Sequence, residues 1–298
     1  MSWRLQPRDY VLAHLLDQHR FLTTDQIAAI LFTSPSTCRN RLDVLRRLGF
    51  IDWFMPVHPT AGRLPVHWVP GRLSVRYVAL YHGRPAPSGR ALREARDASP
   101  SAATRVGHLA HADGVNQFFV DLLAHSRSHP GTRLARWWPA GRTYTKVNHN
   151  TKPDGHGVWT DGEREVAFFL EHDTGTESHT ARAAKLTGYR TLQDKGPAWP
   201  VLFWLPSTAI EAHLHRHLTG LDGGTRGVPI ATAARDYAGS HGGPAGPVWS
   251  VVDGGRQRLR LAELSGPLGP EGPFHPGPPR PDEDPLFLMR DEAPPAVV

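Results

Sequence analysis

From about residue 106 to 232 the chain alternates between stretches with helical apolar spacing and short β-rich runs. That alternation limits what it can fold into. Val106, Leu109, Val115, Phe118, Phe119, Leu122 and Leu123 mark a helix over 106–127. A strand follows at 132–138, ending in Trp137-Trp138-Pro139, and another surrounds 154–160. Glu165-Val166-Ala167-Phe168-Phe169-Leu170-Glu171 reads as a buried strand, Glu177–Leu192 as a helix and Trp199–Leu205 as a strand. Thr208–Leu218 is a further helix and 228–232 a last strand. This order predicts an α/β domain built on a mixed sheet.

The first 83 residues carry a different pattern. Tyr10, Val11, Leu12, Leu15 and Leu16 form a helical stripe, and Leu22-Thr23-Thr24-Asp25 offers capping chemistry for a short second helix through Ile27, Ile30 and Leu31. Thr33-Ser34-Pro35 opens a third helix, which carries Cys38, Leu42, Leu45 and Leu48 inward and stops at Gly49. Residues 50–54 and 66–69 are β-rich runs joined by a Pro/Gly/Arg loop, and 71–82 reads as either a helix or a strand. Three short helices and a two-stranded wing resemble the winged helix-turn-helix domains of bacterial regulators. The resemblance implies that the third helix enters the major groove of double-stranded DNA, presenting Ser36, Arg39, Asn40, Arg46 and Arg47. Arg63, at the wing tip, would reach a phosphate or the minor groove.

Charge agrees with a polyanionic partner: the formal net charge is +6 and the sequence pI about 9.8. The only lysines are Lys146, Lys152, Lys185 and Lys195, all in the central segment. Cys38 is the single cysteine, which excludes an intrachain disulfide and a cysteine-based zinc site. No apolar run approaches the roughly 18–20 residues that span a bilayer, so a cytoplasmic protein without membrane partners is expected. Residues 84–105, rich in Pro, Gly, Ala and Arg, read as a linker, 106–265 as the second domain, and 266–298 as a disordered Pro/Gly-rich tail.

The candidate chemistry lies in the second domain. Lys152-Pro153-Asp154-Gly155 precedes one strand, and Glu171-His172-Asp173 ends the next. Side chains two apart on a strand share a face, which places Glu171 and Asp173 together with Asp154 beside them. Three carboxylates suit Mg²⁺ or Mn²⁺, with neither zinc nor an organic cofactor called for. Lys185, on the following helix, would stabilise phosphoryl charge. Tyr189 lies one turn on and is either a nucleophile or a packing residue; His108 and His111 would contact phosphate or move a proton. His213-Leu214-His215 has helical surroundings that turn its two histidines apart, so it is set aside as a metal pair.

Asp154 followed by Glu171, in a helix-strand-strand-strand-helix-strand order, resembles the PD-(D/E)XK nuclease fold. That pattern wants a lysine at position 173, where this chain has an aspartate, and the resemblance passes the role to Lys185. The chain as a whole, over about 8–265, resembles the replication-relaxation family of actinobacterial plasmids and integrative elements. The features that carry this are the amino-terminal winged helix, His108, His111 and Asn116, Pro153-Asp154, the run Phe169–Glu177, and Lys185 to Tyr189. The resemblance implies work on plasmid DNA in replication, relaxation or mobilisation, with replication or transfer proteins as partners and a homodimer on two half-sites. Two readings stand open: a Mg²⁺-dependent nickase or endonuclease directed by its winged helix, and a non-catalytic regulator or initiator with a degenerate nuclease-like assembly domain.

Overall fold

The computed structural model of the protein describes residues 5–290, apart from 59–61, 91–105, 148–150, 176–178, 195, 221–224, 226, 253, 256 and 265–274. The chain divides into two compact units. One holds the residues up to Val120 together with the segment from Pro285; the other runs from Asp121 to Asp284. The fold is mixed α+β, with a three-stranded sheet in the first unit and a six-stranded sheet in the second.

In the first unit α1 (Pro7–His19), β1 (Leu22–Thr23), α2 (Thr24–Leu31) and α3 (Pro35–Arg47) precede β2 (Ile51–Phe54). A ribbon of β3 (Val57–His58) and β4 (Gly62–Arg63) leads to β5 (His67–Pro70) and α4 (Arg72–Tyr81). Strands β2 and β5 pair antiparallel, and β1 adds a third strand on the other edge of β5. Thr23 also caps α2: its hydroxyl accepts from the Gln26 N–H at 3.2 Å, and Gln26 Oε1 accepts from the Thr23 N–H at 2.9 Å. Pro35 stands in the first turn of α3, and Cys38, Leu42 and Leu45 are fully buried beneath it. Burial pushes the Cys38 thiol up to about 12, as befits a small core residue rather than a nucleophile. Gly49 ends the helix at φ +72, a left-handed conformation that favours glycine, and Phe50 N–H returns to Leu45 O at 2.9 Å. The undecided stretch after β5 is helical, as α4.

The expected linker, 84–105, falls largely on residues 91–105, outside the described residues. The division between units lies instead within α5 (Val106–Ser128). Polar contacts give the reason. Asn116 Nδ2 donates to Phe21 O at 3.0 Å, Gln26 Nε2 donates to Asp113 O at 3.2 Å, and the Asp113 carboxylate holds buried His67 Nε2 at 2.9 and 3.0 Å. These bonds fasten the first half of α5 to the first unit.

The second unit orders its sheet by sequence: β6 (Thr132–Pro139), β7 (Gly155–Asp161), β8 (Arg164–His172), β9 (Val201–Leu205), β10 (Ile230–Ala234) and β11 (Ser250–Val251). Strands β6, β7 and β8 form an antiparallel meander, while β8, β9 and β10 run parallel. Parallel neighbours need crossovers, and α7 (His179–Gln193) and α8 (Thr208–Thr219) supply them. Phe169, Leu186, Tyr189, Trp199, Phe203 and Leu214 interlock in the core between these helices and the sheet. Each such apolar side chain contributes about 1.5–3 kcal/mol through burial. Two short helices arise where none was expected, α6 (Ala140–Lys146) after β6 and α9 (Arg235–Ala238) after β10.

Of the expected tail, 266–298, residues 266–274 and 291–298 lie outside the described residues; the described part, 275–290, contains two 3₁₀ turns, and Glu283, Asp284, Leu286 and Phe287 are buried. Glu283 pairs with buried Arg136 of β6, while Phe287 packs against His14 of α1 at 5.9 Å. Proline and glycine set the backbone of this segment; ion pairs and apolar contacts hold it.

Candidate functional site

Glu171 stands at the carboxyl end of β8, on the face that carries Phe169 and receives α7. One turn apart on α7, Lys185 and Tyr189 reach it together. Lys185 Nζ donates to Glu171 Oε2 at 2.7 Å, and Tyr189 Oη donates to Glu171 Oε1 at 2.6 Å. Asp154 precedes β7. Its backbone N–H donates to Leu170 O at 2.9 Å, and its Oδ2 accepts the His172 N–H at 2.8 Å. Burial and the Asp154 carboxylate push Glu171 up to about 7, against the pull of Lys185 and Tyr189. The structure thus gathers Asp154, Glu171, Lys185 and Tyr189.

Asp173 lies just past the end of β8. Its Oδ1 accepts the Gly175 N–H at 2.6 Å, closing a turn in which Gly175 takes φ +91. Asp173 favours the charge of the partly buried Arg235 guanidinium against burial. Arg235 NH1 donates to Asp173 O at 2.8 Å and Trp204 O at 3.2 Å, and lies 3.1 Å from His172 Nε2. β8 stops at His172, and the Asp173 N–H still donates to Trp204 O on β9 at 3.0 Å. Among the described residues no group of three His, Cys, Asp or Glu side chains is arranged as a metal cage.

Tyr189 is 3% exposed, and burial and Glu171 hold its hydroxyl well above the usual phenol range. That is the environment of a packed hydrogen-bond donor, because a nucleophilic phenolate needs the opposite shift. His108 is exposed and His111 half-buried on the part of α5 that belongs to the first unit. His215 is held structurally, with Nε2 2.7 Å from Thr232 Oγ1, and α8 is the helix that its apolar spacing predicts.

In the first unit, Ser36, Arg39, Asn40, Arg46 and Arg47 are all exposed on α3. Arg47 pairs with Asp43 one turn back, and Arg46 lies 5.4 Å above the ring of Trp53 on β2, itself 37% exposed. Arg41 is the exception among the helix's arginines: it is tied to buried Asp9, with Nε donating to Oδ1 at 3.0 Å. Arg63 lies in β4, in the ribbon between β2 and β5.

Arg235 and Trp53 were not anticipated. Arg235 immediately follows β10, a position at the carboxyl end of a parallel strand where α/β sheets collect functional groups. The expected strand ended two residues short of that of the structure, which hid the position. Trp53 sits in a β-rich run, where an aromatic residue reads first as core.

The sequence model of the replication-relaxation family matches residues 14–203. The chain belongs to the replication-relaxation family. No curated protein and no solved structure matches it. The matched stretch of this family member contains the exposed face of α3, Asp154, Glu171 and Lys185, and it ends within β9, before Arg235. Among the described residues no helix is long and apolar enough to cross a membrane.

Proposed function

We propose that this family member is a sequence-directed DNA-binding protein of a plasmid or integrative element, acting in its replication, relaxation or mobilisation. The observation that carries the reading is the face of α3, where Ser36, Arg39, Asn40, Arg46 and Arg47 stand exposed beside the β2–β5 hairpin. An amide and guanidinium groups on one short helix supply base-edge and phosphate contacts, and the hairpin serves as the wing of a winged helix-turn-helix. Two copies on two half-sites would extend recognition, and replication or transfer proteins are the expected further partners.

The second unit is read as a nuclease-like domain. Its helix, antiparallel meander, crossover helix and parallel strand follow the order of the PD-(D/E)XK fold, with Asp154 and Glu171 at adjoining strand ends. All-oxygen donors suit a hard divalent ion. Asp154 and Glu171, with Asp173 on the adjoining turn, would hold Mg²⁺ or Mn²⁺, which supplies a Lewis acid for a phosphoryl oxygen. Lys185 would neutralise charge on the phosphoryl group in flight. Water is the nucleophile, since the Tyr189 hydroxyl is buried on Glu171.

A second reading has its own support. Glu171 is already held by Lys185 and Tyr189, and Asp173 is turned to Gly175. That arrangement also suits a domain that assembles on DNA without cutting it. Supercoiled plasmid carrying the element's own origin separates the two. Conversion to open circle by wild type with Mg²⁺ or Mn²⁺, absent with EDTA and in Glu171→Ala, supports the nickase. Retained gel shift of the origin fragment without conversion supports the binder. Loss of both results defeats the proposal.

A further inference from the structure

Three arginines of the second unit converge on two consecutive carboxylates. Arg136 projects from β6 with 1% of its side chain exposed. Its Nε donates to Glu283 Oε2 at 2.8 Å, and its NH2 donates to the Gly277 and Pro278 carbonyls at 3.2 and 2.9 Å. Arg142 of α6 donates from NH2 to Glu283 Oε1 at 3.3 Å, and Arg133 Nε lies 2.7 Å from Asp284 Oδ2. The guanidinium groups of Arg136 and Arg142 lie 4.3 and 5.1 Å from the ring centre of Trp138. Among the described residues, buried Arg136 NH1 has no hydrogen-bond partner. The cluster lies at the rim of the sheet, because β6 is its outermost strand.

A segment that served only to close this edge would do so as well with apolar side chains. A buried Arg–Glu pair spends most of its Coulomb attraction on desolvation, and hydrophobic replacements match or exceed it. Leu286 and Phe287, a few residues on, are buried in that apolar way. What three guanidinium groups add is affinity for a particular chemistry. Their planar forks bind carboxylate and phosphate oxygens alike, so an acidic run stands where phosphates can stand. Asp282, Glu283 and Asp284 are three acids in succession, and the last two are the ones engaged with Arg133, Arg136 and Arg142.

We propose that Arg133, Arg136 and Arg142 form a second nucleic-acid backbone site, distinct from α3, which the acidic segment 282–284 occupies until a phosphodiester chain displaces it. The site gives the second unit its own hold on DNA and keeps that hold closed in the free protein. It stands whether or not α3 binds DNA.

The test uses the full chain with the α3 cations removed (Arg39→Ala, Arg46→Ala, Arg47→Ala), so that failure of the α3 reading and failure of this one are distinguishable. A labelled DNA duplex is titrated with this protein and with the same protein carrying Glu283→Gln and Asp284→Asn. Freeing the arginines should tighten binding about tenfold or more, with a slope of log affinity against log salt near −3, roughly −0.9 for each of three phosphates. Adding Arg133→Gln and Arg142→Gln should abolish the gain. No gain in the folded variant overturns the proposal. Should the Glu283 variant fail to fold, hydrogen exchange on the protein with its own 282–284 decides. Saturating duplex should speed exchange of the backbone amides at 282–284 if the segment is displaced, and unchanged exchange overturns the proposal.

Discussion

Helix α3 of the first unit and the interior of the second treat their arginines in opposite ways. On α3, Arg39, Arg46 and Arg47 point to solvent, and among the described residues every exposed large hydrophobic side chain (Val44, Trp53, Val57, Leu80 and Met289) also belongs to the first unit. In the second unit Arg136, Arg142, Arg235 and Arg258 are wholly or partly buried and bound to carboxylates or carbonyls within the same unit. Solvated cations beside exposed apolar groups are available to an outside partner at little desolvation cost. Buried cations hold chain segments together, and they release that capacity only when their carboxylates leave.

The largest effect expected from this contrast is on stability. Arg136→Ala takes from Glu283 its only fully buried cation and leaves it the longer contact to Arg142 at 3.3 Å, and should cost about 3 kcal/mol in chemical denaturation; a loss below about 1 kcal/mol would mean that the pair is solvated. Next comes the α3 triple substitution Arg39→Ala, Arg46→Ala, Arg47→Ala. It should weaken origin binding in a gel shift by about 100-fold at moderate salt while leaving the melting temperature nearly unchanged. Equal binding would break the comparison, because exposure would then carry no functional meaning.

Acid sharpens it further. Burial pulls His156 of β7 down to about 3, and His14 of α1 down to about 4. Both folded values lie below the ordinary 6.5. Each group therefore contributes stability that is whole above pH 6.5 and is lost as pH falls, through about 4 for His14 and about 3 for His156. Replacing His156 with Gln should flatten that part of the acid denaturation curve of the second unit, followed by near-ultraviolet circular dichroism. A variant with an unchanged curve would place the sensitivity elsewhere.

Tyr189→Phe removes one hydrogen bond to Glu171 and should cost about 1 kcal/mol. Plasmid nicking, where wild type shows it, should persist; its abolition, with the fold intact, would restore Tyr189 as nucleophile. The smallest effect belongs to the solvated pair on α3, where Asp43→Ala should change stability by less than about 0.5 kcal/mol by thermal melting.

Much of the architecture was legible in local pattern. Apolar spacing located α3, α5, α7 and α8, and the β-rich runs located β2, β5 and the meander of β6, β7 and β8. The pairing of Asp154 with Glu171 followed from two strand ends that the antiparallel register brings level. Legibility failed where an element ended. Asp173 falls just past the end of β8, where its carboxylate also accepts from the Gly175 N–H, and Arg235 was missed because β10 runs two residues further than its composition suggests. The half of α5 that joins the first unit was likewise invisible, since Asp113 and Asn116 find their partners at His67 and Phe21.

By itself the sequence determined periodicity, capping and the order of elements, because those depend on residues three or four positions apart. Only the tertiary structure decided that Glu171 meets Lys185 and Tyr189, and that a proline- and glycine-rich segment is held in place by Glu283. Arg136 and Glu283 lie 147 positions apart. Nothing in the local spacing of either residue names the other; the desolvation of both charges in one buried place makes the pairing necessary.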